Sequence, residues 1–509
     1  MKLLKAVSSF SPLLLAALIV SAQDGASGSK NYIPVLPGDQ PADIIRKAAE
    51  VTPSPRQLRW QELECTAFFH FGINTFTDHE WGNGQEDISQ FNPAHLDARQ
   101  WVRIAQAAGI RQVILTAKHH DGFCLWPSKY TKHSVQYTPW KNGKGDVVRE
   151  VADACREYGM GFGVYLSPWD RNSPYYGDSA KYNEYFEHQL TELLTQYGKV
   201  DEVWFDGANG EGPNGKKQVY DFKAWYALIR RLQPSAVIAV MGPDVRWVGT
   251  ESGVGRLTEW SVLPVDAQTQ EKIAAGSQKD VTYVPAGNMM NDDLGSRSKL
   301  MGAKGLIWYP AETDVSIRPG WFYHGSEDEK VKSPSTLTDI YFSSVGRNSL
   351  LLLNIPPDKD GLLNSHDSAS LLGWRQKLDS SFARNLAKGA IIQSMNGQGA
   401  GHLVDDRDDT YWTTNGSDTT ATIRLMLHGE KTFDVLLLQE DIRIGQRVEQ
   451  FVLEAQVNGQ WTKIAEGTTI GYKRLLRFPP VTTRVVRLQI LSSRLNPVIS
   501  TLGLYKMAE

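Results

Sequence analysis

Short runs of apolar and β-branched residues alternate with longer amphipathic stretches over most of the first 360 residues. Residues 97–108, 146–158 and 182–197 repeat apolar positions at helical spacing and predict helices. The apolar runs predict eight strands, at residues 66–71, 112–117, 161–167, 200–205, 236–241, 257–260, 306–309 and 350–355. Strands that are apolar throughout are typical of a parallel sheet covered on both faces. The pattern therefore predicts an α/β fold with a (β/α)8-like barrel in residues 23–370, with a doubly wound open sheet as the alternative.

The pattern changes after about residue 370. A helical stretch at 371–385 is followed by short segments in which apolar and polar residues alternate, at 422–427, 435–439, 451–457 and 484–490. Such alternation predicts half-buried strands, and Asn458-Gly459 between two of them predicts a hairpin turn. Residues 385–509 are therefore expected to form a separate all-β sandwich.

Residues 1–22 have the pattern of a signal peptide. Lys2 and Lys5 precede an apolar run at 12–20, and Ser21-Ala22 provides small residues at the expected cleavage site. The apolar run is too short to span a bilayer. The mature protein is therefore expected to be exported, either to a periplasm or out of the cell, without inserting into the membrane. An uncleaved N-terminal anchor is the alternative.

Composition narrows the function classes. The chain has 54 Lys and Arg against 57 Asp and Glu, a net charge of −3, so no basic excess indicates a nucleic-acid partner. Three cysteines with no CxxC pair form neither a disulfide framework nor a zinc motif. The chain also has 15 Trp, 19 Tyr and 17 Phe. Aromatic side chains in this number suit a sugar-stacking surface, although a large aromatic core would explain them equally well.

In a (β/α)8 barrel, functional side chains lie where the strands end. The ends of the predicted strands and the segments after them carry His, Trp and carboxylate side chains, among them His70, His119, His120, Tyr165, Trp204, Asp206, Arg246, Trp247, Glu251, Trp308 and Glu312. Aromatic rings can stack on sugar rings, while imidazole and carboxylate groups bind hydroxyls. These residues predict a sugar pocket at the C-terminal rim.

Two carboxylates in this set suit glycoside hydrolysis. Asp206 ends a buried strand and is followed by Gly207, and Glu251 lies in a glycine-containing loop. Hydrolysis of a glycosidic bond needs such a pair, one acting as nucleophile or base and the other as acid. A buried structural Asp206 and a solvated Glu251 are the alternatives.

Other chemistries receive little support from the sequence. His119, His120 and Asp121 are adjacent, whereas zinc hydrolases more often space their histidines four apart on a helix. No GxSxG motif indicates a serine nucleophile. No P-loop motif indicates a nucleotide, and no cofactor is expected.

Several motifs together resemble glycoside hydrolase family 29, the retaining α-L-fucosidases. They are HFG at 70–72, EWG at 80–82, KHHDGF at 118–123, WFDG at 204–207, RPGWFYH at 318–324 and LNIPP at 353–357. The resemblance implies a (β/α)8-like barrel and a covalent fucosyl-enzyme. It places Asp206 at the nucleophile position, and fucosylated oligosaccharides would be the substrates.

The same resemblance implies which residues bind the sugar. The family's binding positions correspond to His70, Glu80, Trp81, His119, His120, Tyr165, Trp204 and Trp308. Arg318 and Trp321 lie in a loop that could meet the group to which fucose is attached. No metal is implied in the active site.

The acid/base position differs between two branches of the family. The run RWVGTE at 246–251 is similar to the branch that prefers α-1,3/1,4-linked fucose in branched, Lewis-type glycans. In that branch the glutamate of this run is the acid/base, which implies Glu251. Glu259 and Glu312 are the alternatives.

The C-terminal domain resembles the discoidin or galactose-binding-like fold in residues 405–412, 445–448 and 503–505. Trp412 is expected to be a core residue rather than a sugar platform. Asp405 and Asp408, with Asp406 and Asp409 beside them, could hold a structural calcium ion, since calcium prefers oxygen ligands. A solvated acidic turn is the alternative.

Three further functions remain open from the sequence. The chain could be a fucosidase of broad specificity, a retaining hydrolase for another deoxysugar, or a glycan-binding protein without catalysis. Asp206 at a strand end argues against the last, because a sugar-binding protein needs no nucleophile there.

Overall fold

The computed structural model describes residues 30–265 and 293–508, and the predicted signal peptide lies outside this part of the chain. Its first eleven strands are β1 (Tyr32–Pro34), β2 (Cys65–Phe69), β3 (Gln112–Lys118), β4 (Gly161–Leu166), β5 (Glu202–Phe205), β6 (Val237–Val240), β7 (Arg246–Trp247), β8 (Val262–Val265), β9 (Gly305–Trp308), β10 (Ala311–Ser316) and β11 (Ser349–Asn354). Within the described residues, no helix is both long enough and apolar enough to cross a membrane.

Eight of these strands form one parallel sheet in the order β6-β5-β4-β3-β2-β11-β10-β7. The two end strands, β6 and β7, also contact each other, so the sheet is a nearly closed barrel. Its central strands β2, β3 and β11 are buried at every position, as expected for strands covered on both faces. The predicted (β/α)8-like barrel is confirmed, and the doubly wound sheet was the wrong alternative.

Helices cover the barrel between its strands. They are α1 (Pro41–Glu50), α2 (Pro55–Gln61), α3 (Ile73–Thr77), α4 (Ala98–Ala107), α5 (Val147–Glu157), α6 (Ser179–Gln196), α7 (Phe222–Leu232), α8 (Arg297–Leu300), α9 (Pro334–Ser343) and α10 (Ser365–Phe382). Aspartates begin four of them: the side chains of Asp97, Asp146, Asp178 and Asp221 accept hydrogen bonds from first-turn amides. These caps satisfy N–H groups that have no partner within the helix.

Two of the eight predicted barrel strands were wrong. Residues 257–260 form no strand, and the sixth barrel strand is β7, only two residues long. Of the predicted strand 306–309, residues 306–308 fall in β9, which joins β1 and β8 in a separate antiparallel sheet. The seventh barrel strand is β10, whose sequence AETDVS is polar although every residue in it is buried. A run of apolar residues identifies a buried strand only where the side chains pack against apolar groups. In β10, the buried Glu312 and Asp314 instead accept hydrogen bonds from indole N–H groups.

The C-terminal domain is all-β, as predicted. Its strands are β12 (Ile391–Ser394), β13 (Gly397–Gln398), β14 (Trp412–Thr414), β15 (Ala421–Glu440), β16 (Val448–Val457), β17 (Gln460–Gly467), β18 (Arg474–Ser493) and β19 (Val498–Tyr505). They pair antiparallel around a separate core that includes the fully buried Trp412. Asn458 and Gly459 both have positive φ and join β16 to β17, which confirms the predicted hairpin.

Candidate active site

A cavity of about 240 Å³ opens at the C-terminal ends of the barrel strands. It is lined by Phe68, His70, Glu80, Trp81, His119, His120, Tyr165, Trp204, Asp206, Gly207, Ala208, Val240, Met241, Arg246, Trp247, Glu251, Tyr309, Asp314 and Trp321. Rings and apolar groups form much of this surface, with a few imidazole, carboxylate and guanidinium groups among them. This composition suits a small ligand with both hydroxyls and apolar faces.

Asp206 directly follows β5 and points into the cavity on the same side as Trp204, because side chains two residues apart share one face of a strand. Two donors fix its carboxylate. The Ala208 amide donates to Oδ1 at 2.6 Å, and the Tyr165 hydroxyl donates to Oδ2 at 3.4 Å. Nε2 of His120 lies 3.9 Å from Oδ2. The carboxylate is therefore held in one orientation with an open side toward the ligand space.

Three buried histidines form one wall of the cavity. Nδ1 of His70 lies 2.9 Å from Oδ1 of Asn354, and Nδ1 of His120 lies 2.7 Å from the Ser167 hydroxyl. Burial lowers the pKa of His70 to about 3 and lowers the pKa values of His119 and His120 as well. For His120, the charge of Asp206 opposes this effect only in part. The imidazoles are therefore neutral near pH 7, when each can donate one hydrogen bond and accept another.

This burial should make folding stability depend on pH at His70. In the unfolded chain its pKa returns to about 6.5. Between pH 6.5 and 3 the unfolded chain then binds one proton more than the folded protein at this site, so stability falls as the pH falls. From pH 6.5 to 5.0, His70 should cost about 2 kcal/mol. Urea unfolding of the wild type and His70→Asn at both pH values measures it: the wild-type advantage should shrink by about 2 kcal/mol.

The control for this prediction is His428→Asn, because His428 is exposed in the C-terminal domain. Its difference from the wild type should stay constant between the two pH values. A constant difference for His70→Asn as well would contradict the prediction.

Glu251 lies in the exposed loop that follows β7, at the cavity wall. Its Oε2 accepts a hydrogen bond from the indole N–H of Trp321 at 3.1 Å. Glu80 in turn holds Trp321, because its two carboxylate oxygens accept from the backbone amides of Trp321 and Phe322 at 2.8 and 3.1 Å. Glu80 thus connects the loop of Trp81 with the loop of Trp321, and Trp321 connects that loop with Glu251.

The side chain of His324 contacts the carboxylate of Glu80. Its Nε2 lies 2.7 Å from Oε1 of Glu80, and its Nδ1 lies 2.8 Å from Oδ1 of Asp78. Partial burial opposes protonation of this imidazole, but hydrogen bonds to the two carboxylates outweigh burial and raise the pKa of His324. The imidazole lies between two carboxylates, and these contacts fix both loops at this side of the cavity.

Arg246 and Trp247, which the strand ends placed at the rim, line the cavity, whereas Tyr309 and Asp314 also line it and were not among the predicted site residues. Asp314 accepts a hydrogen bond from the Trp247 indole at 2.8 Å. Burial raises the pKa of the Asp314 carboxyl well above its usual value, and the nearby Glu312 and Glu251 raise it further. A signal for it existed, since Glu312, Asp314 and Ser316 repeat polar residues at the two-residue spacing of a strand.

Two of the predicted binding residues, Trp308 and Arg318, do not line the cavity. Trp308 belongs to β9 of the separate sheet, where it is fully buried and its indole donates to Oε1 of Gln61 at 2.8 Å. Its neighbour Tyr309 lines the cavity instead. Arg318 is also fully buried, and it forms ion pairs with Asp328 at 2.8 Å and Asp367 at 2.5 Å. These ion pairs attach the loop that carries Trp321 to the interior of the domain.

The two alternative acid residues, Glu259 and Glu312, do not line the cavity either. Glu259 is 1% exposed and forms ion pairs with Arg246 and Arg256. Glu312 is fully buried and accepts from the Trp204 indole at 2.7 Å. Burial and the nearby Glu202 raise the pKa of Glu312 well above its usual value. Among the three glutamates, only Glu251 reaches the ligand space.

The acidic turn of the C-terminal domain does not assemble the predicted calcium ligands. Asp405 lies 3.1 Å from His402, Asp406 pairs with Lys388, and Asp409 pairs with Arg407 at 2.7 Å. In the described ranges, no three His, Cys, Asp or Glu side chains are grouped so that they could hold a metal ion.

A nearly closed (β/α)8-like barrel with a carboxylate-bearing, aromatic cavity at its C-terminal rim is an arrangement that suits a glycoside hydrolase. The family model described as "Alpha-L-fucosidase" matches residues 58–376, and the model "F5/8 type C domain" matches residues 389–501. The chain belongs to the α-L-fucosidase family, glycoside hydrolase family 29, and carries a C-terminal discoidin-like domain.

Individual relatives agree with this family. Alpha-L-fucosidase 1 of Arabidopsis thaliana is 44% identical over 465 residues, covering 89% of this chain and 87% of that protein. The solved structure of a glycoside hydrolase 29 family member from an unknown rumen bacterium is 42% identical, with a TM-score of 0.75 over 90% of this chain and 78% of that one. The Ruminococcus gnavus GH29 fucosidase E1_10125, solved in complex with fucose, is 32% identical. Its TM-score is 0.79 over 90% of this chain and 96% of that one.

Proposed function

We propose that this α-L-fucosidase is a retaining enzyme that removes terminal α-1,3- or α-1,4-linked L-fucose from branched, Lewis-type oligosaccharides. The observation that carries the proposal is that Asp206 and Glu251 line the same cavity. Asp206 is fixed by two hydrogen-bond donors, whereas Glu251 lies in an exposed loop. One carboxylate is thus positioned to attack, and the other is positioned where a leaving group would depart.

The reaction proceeds in two displacements. In the first, an oxygen of Asp206 bonds to the anomeric carbon as the bond to the departing oxygen breaks, and Glu251 gives that oxygen its proton. In the second, water bonds to the anomeric carbon and loses a proton to Glu251, which releases the Asp206 carboxylate. Two inversions restore the original configuration at the anomeric carbon.

The remaining groups of the cavity fit a deoxysugar. Neutral His70 and His120 donate through Nδ1 to Asn354 and Ser167, which leaves their Nε2 atoms to accept hydrogen bonds from sugar hydroxyls, and neutral His119 offers a further polar group. Trp204 and Phe68 offer apolar surface to the sugar face and to the methyl group of fucose. The Ruminococcus gnavus relative binds fucose in its crystal structure, which agrees with this assignment.

The linkage part of the proposal is supported by the loop that carries Glu251. Trp321 and Glu251 are hydrogen-bonded to each other, and Trp81 is 56% exposed at the cavity wall. These rings provide apolar surface beside the acid for a second sugar that branches from the same residue as fucose.

We expect fucose release from a Lewis-type trisaccharide to exceed release from a simple aryl α-L-fucoside by at least about tenfold in kcat/KM. Contacts with the neighbouring galactose add binding energy in the transition state. Chromatography of the products, with both substrates at equal concentration, measures the ratio.

Other outcomes of this experiment distinguish the alternatives. A preference for the aryl fucoside would overturn the linkage proposal and leave an α-L-fucosidase of broad specificity. Release of another deoxysugar faster than fucose would overturn the substrate. No release of any sugar, with fucose still bound, would indicate a glycan-binding protein without catalysis.

Export is also part of the proposal, and it is supported by the n-region, apolar run and small residues of 1–22. Cleavage after Ala22 would give a mature chain that begins at Gln23, which the intact mass of the exported protein tests.

A further inference from the structure

The C-terminal domain contacts the loop region that follows Glu251. Leu257 accepts two hydrogen bonds on its carbonyl oxygen, from the Thr468 hydroxyl at 3.1 Å and from Nη1 of Arg474 at 2.7 Å. The hydroxyls of Thr258 and Thr468 lie 2.9 Å apart. Both donors to Leu257 belong to the sandwich, which therefore holds the catalytic domain at this point.

The contact continues at Glu259, two residues further along the chain. The Glu259 amide donates to the hydroxyl of Thr469 at 3.0 Å, and its carbonyl accepts from the Gln446 amide at 3.0 Å. The same Gln446 side chain accepts from the amide of Ser261 at 2.8 Å. Gln446 and Thr469 are fully buried, so these hydrogen bonds are shielded from water.

The side chain of Glu259 joins the two ends of the loop that carries Glu251. Its carboxylate forms a buried ion pair with Arg246, and both side chains are 1% exposed. Arg246 precedes the loop and Glu259 follows it, so their ion pair joins the two ends of the segment with Glu251 between them. Arg246 also lines the cavity. If Glu259 moved away, the buried charge of Arg246 would lose this ion pair, which costs free energy. The position of Arg246 therefore depends on the position of Glu259.

We propose that the C-terminal sandwich is a positioning part of the active site. Thr469 and Gln446 fix the backbone of Glu259, the Glu259 carboxylate fixes Arg246, and the closed loop holds Glu251 at the cavity. The inference rests on the proposed role of Glu251 as the acid. It assigns the sandwich a role in catalysis that does not depend on whether it binds sugar.

The test compares Thr469→Val with the wild-type full-length enzyme on two substrates. Valine keeps the shape of threonine but cannot accept the hydrogen bond from Glu259. We expect kcat for a fucosylated trisaccharide to fall about tenfold, since small misplacement of a catalytic group has effects of at least this size. KM should change little. The kcat/KM for α-L-fucosyl fluoride, which reports only the first displacement, should fall much less, because fluoride leaves with little help from an acid.

Thr483→Val is the matched control. Thr483 is also buried, in β18, and its hydroxyl accepts from the Val485 amide at 3.1 Å. Within the described part of the chain, its hydrogen-bond partners, Gln456 and Val485, both belong to the sandwich. It should lower the melting temperature by about as much as Thr469→Val and leave kcat unchanged on both substrates. Thr469→Ser restores the hydroxyl and should recover the wild-type kcat. If Thr469→Val does not fold, Thr468→Val removes the neighbouring contact with Leu257 and takes its place.

Several outcomes would overturn the inference. They are a wild-type kcat in Thr469→Val, an equal loss on the trisaccharide and the fluoride, or the same loss in Thr483→Val. These results leave the proposed function untouched. A wild-type enzyme that releases no fucose from either substrate would instead overturn the proposed function itself.

Discussion

Replacing Asp206 by alanine should lower kcat by at least about 10³-fold, because the variant has no atom that can bond to the anomeric carbon. The fold should survive the change. Among the described residues, the Asp206 carboxylate accepts hydrogen bonds from Tyr165 and Ala208, and it is 26% exposed at the cavity, 3.9 Å from Nε2 of His120. Initial rates with α-L-fucosyl fluoride and melting curves of both proteins measure the two effects.

Asp201→Ala is the matched control for this variant. Asp201 precedes the same strand β5 at its opposite end, where its carboxylate accepts from the Phe162 amide at 3.2 Å. Its removal should affect stability rather than kcat. Equal activity losses in the two variants would show that strand β5 tolerates no change, and would contradict a specific role for Asp206.

The products of Asp206→Ala with azide give a second and sharper measurement. Azide can enter the space of the missing carboxylate and attack the anomeric carbon once. A single displacement inverts the configuration, so α-L-fucosyl fluoride should yield β-L-fucosyl azide. Absence of this product, or an azide of retained configuration, would show that Asp206 is not the nucleophile.

The position of Asp206 could be predicted because the apolar residues of its strand are the ones that the structure buries. Val203 and Phe205 are apolar and fully buried, which identifies the strand, and the carboxylate follows where a parallel barrel opens. The same reasoning correctly placed His70, His119 and His120 at the rim. Where a strand is apolar up to its last residue, the sequence alone thus locates both the element and the side chain that ends it.

The strands on the opposite side of the barrel could not be predicted in this way. β7 has two residues, too few for any periodicity, and β10 buries Glu312 and Asp314 against indole N–H groups. Polar residues in a fully buried strand need partners from other strands, which a local pattern does not reveal. The local pattern therefore predicts the apolar β9 as the seventh barrel strand, and it places Trp308 in the pocket where the structure has Tyr309.

Site residues in loops could be predicted only from the resemblance to a known family, because loops have no periodic pattern of apolar and polar residues. Arg318 and Trp321 lie three residues apart in one loop, yet Trp321 faces the cavity while Arg318 pairs with Asp367 in the interior. No periodicity separates them, since the loop is not regular structure. The contact of Glu259 with the sandwich is equally invisible in the sequence, because it joins residues almost 190 positions apart.

Replacing Glu251 by alanine should lower kcat/KM for a fucosylated trisaccharide by about 10²–10⁴-fold, the usual contribution of a general acid. α-L-fucosyl fluoride should react within about tenfold of the wild-type rate in the first displacement, since fluoride leaves with little protonation. Azide should then restore turnover of the fluoride. It attacks the fucosyl-enzyme in the place of water and needs no base, so the product should be α-L-fucosyl azide, with retained configuration.

The matched variants are Glu259→Ala and Glu312→Ala, the two other glutamates near this loop. Both side chains are buried and lie outside the cavity, Glu259 against Arg246 and Glu312 against Trp204. Their removal should lower the melting temperature, and azide should not restore activity, because neither carboxylate contacts the departing oxygen. Rescue by azide in Glu259→Ala or Glu312→Ala, with none in Glu251→Ala, would move the acid/base role to that residue. The opposite stereochemistry of the azides formed by Asp206→Ala and Glu251→Ala would assign both carboxylates in one pair of experiments.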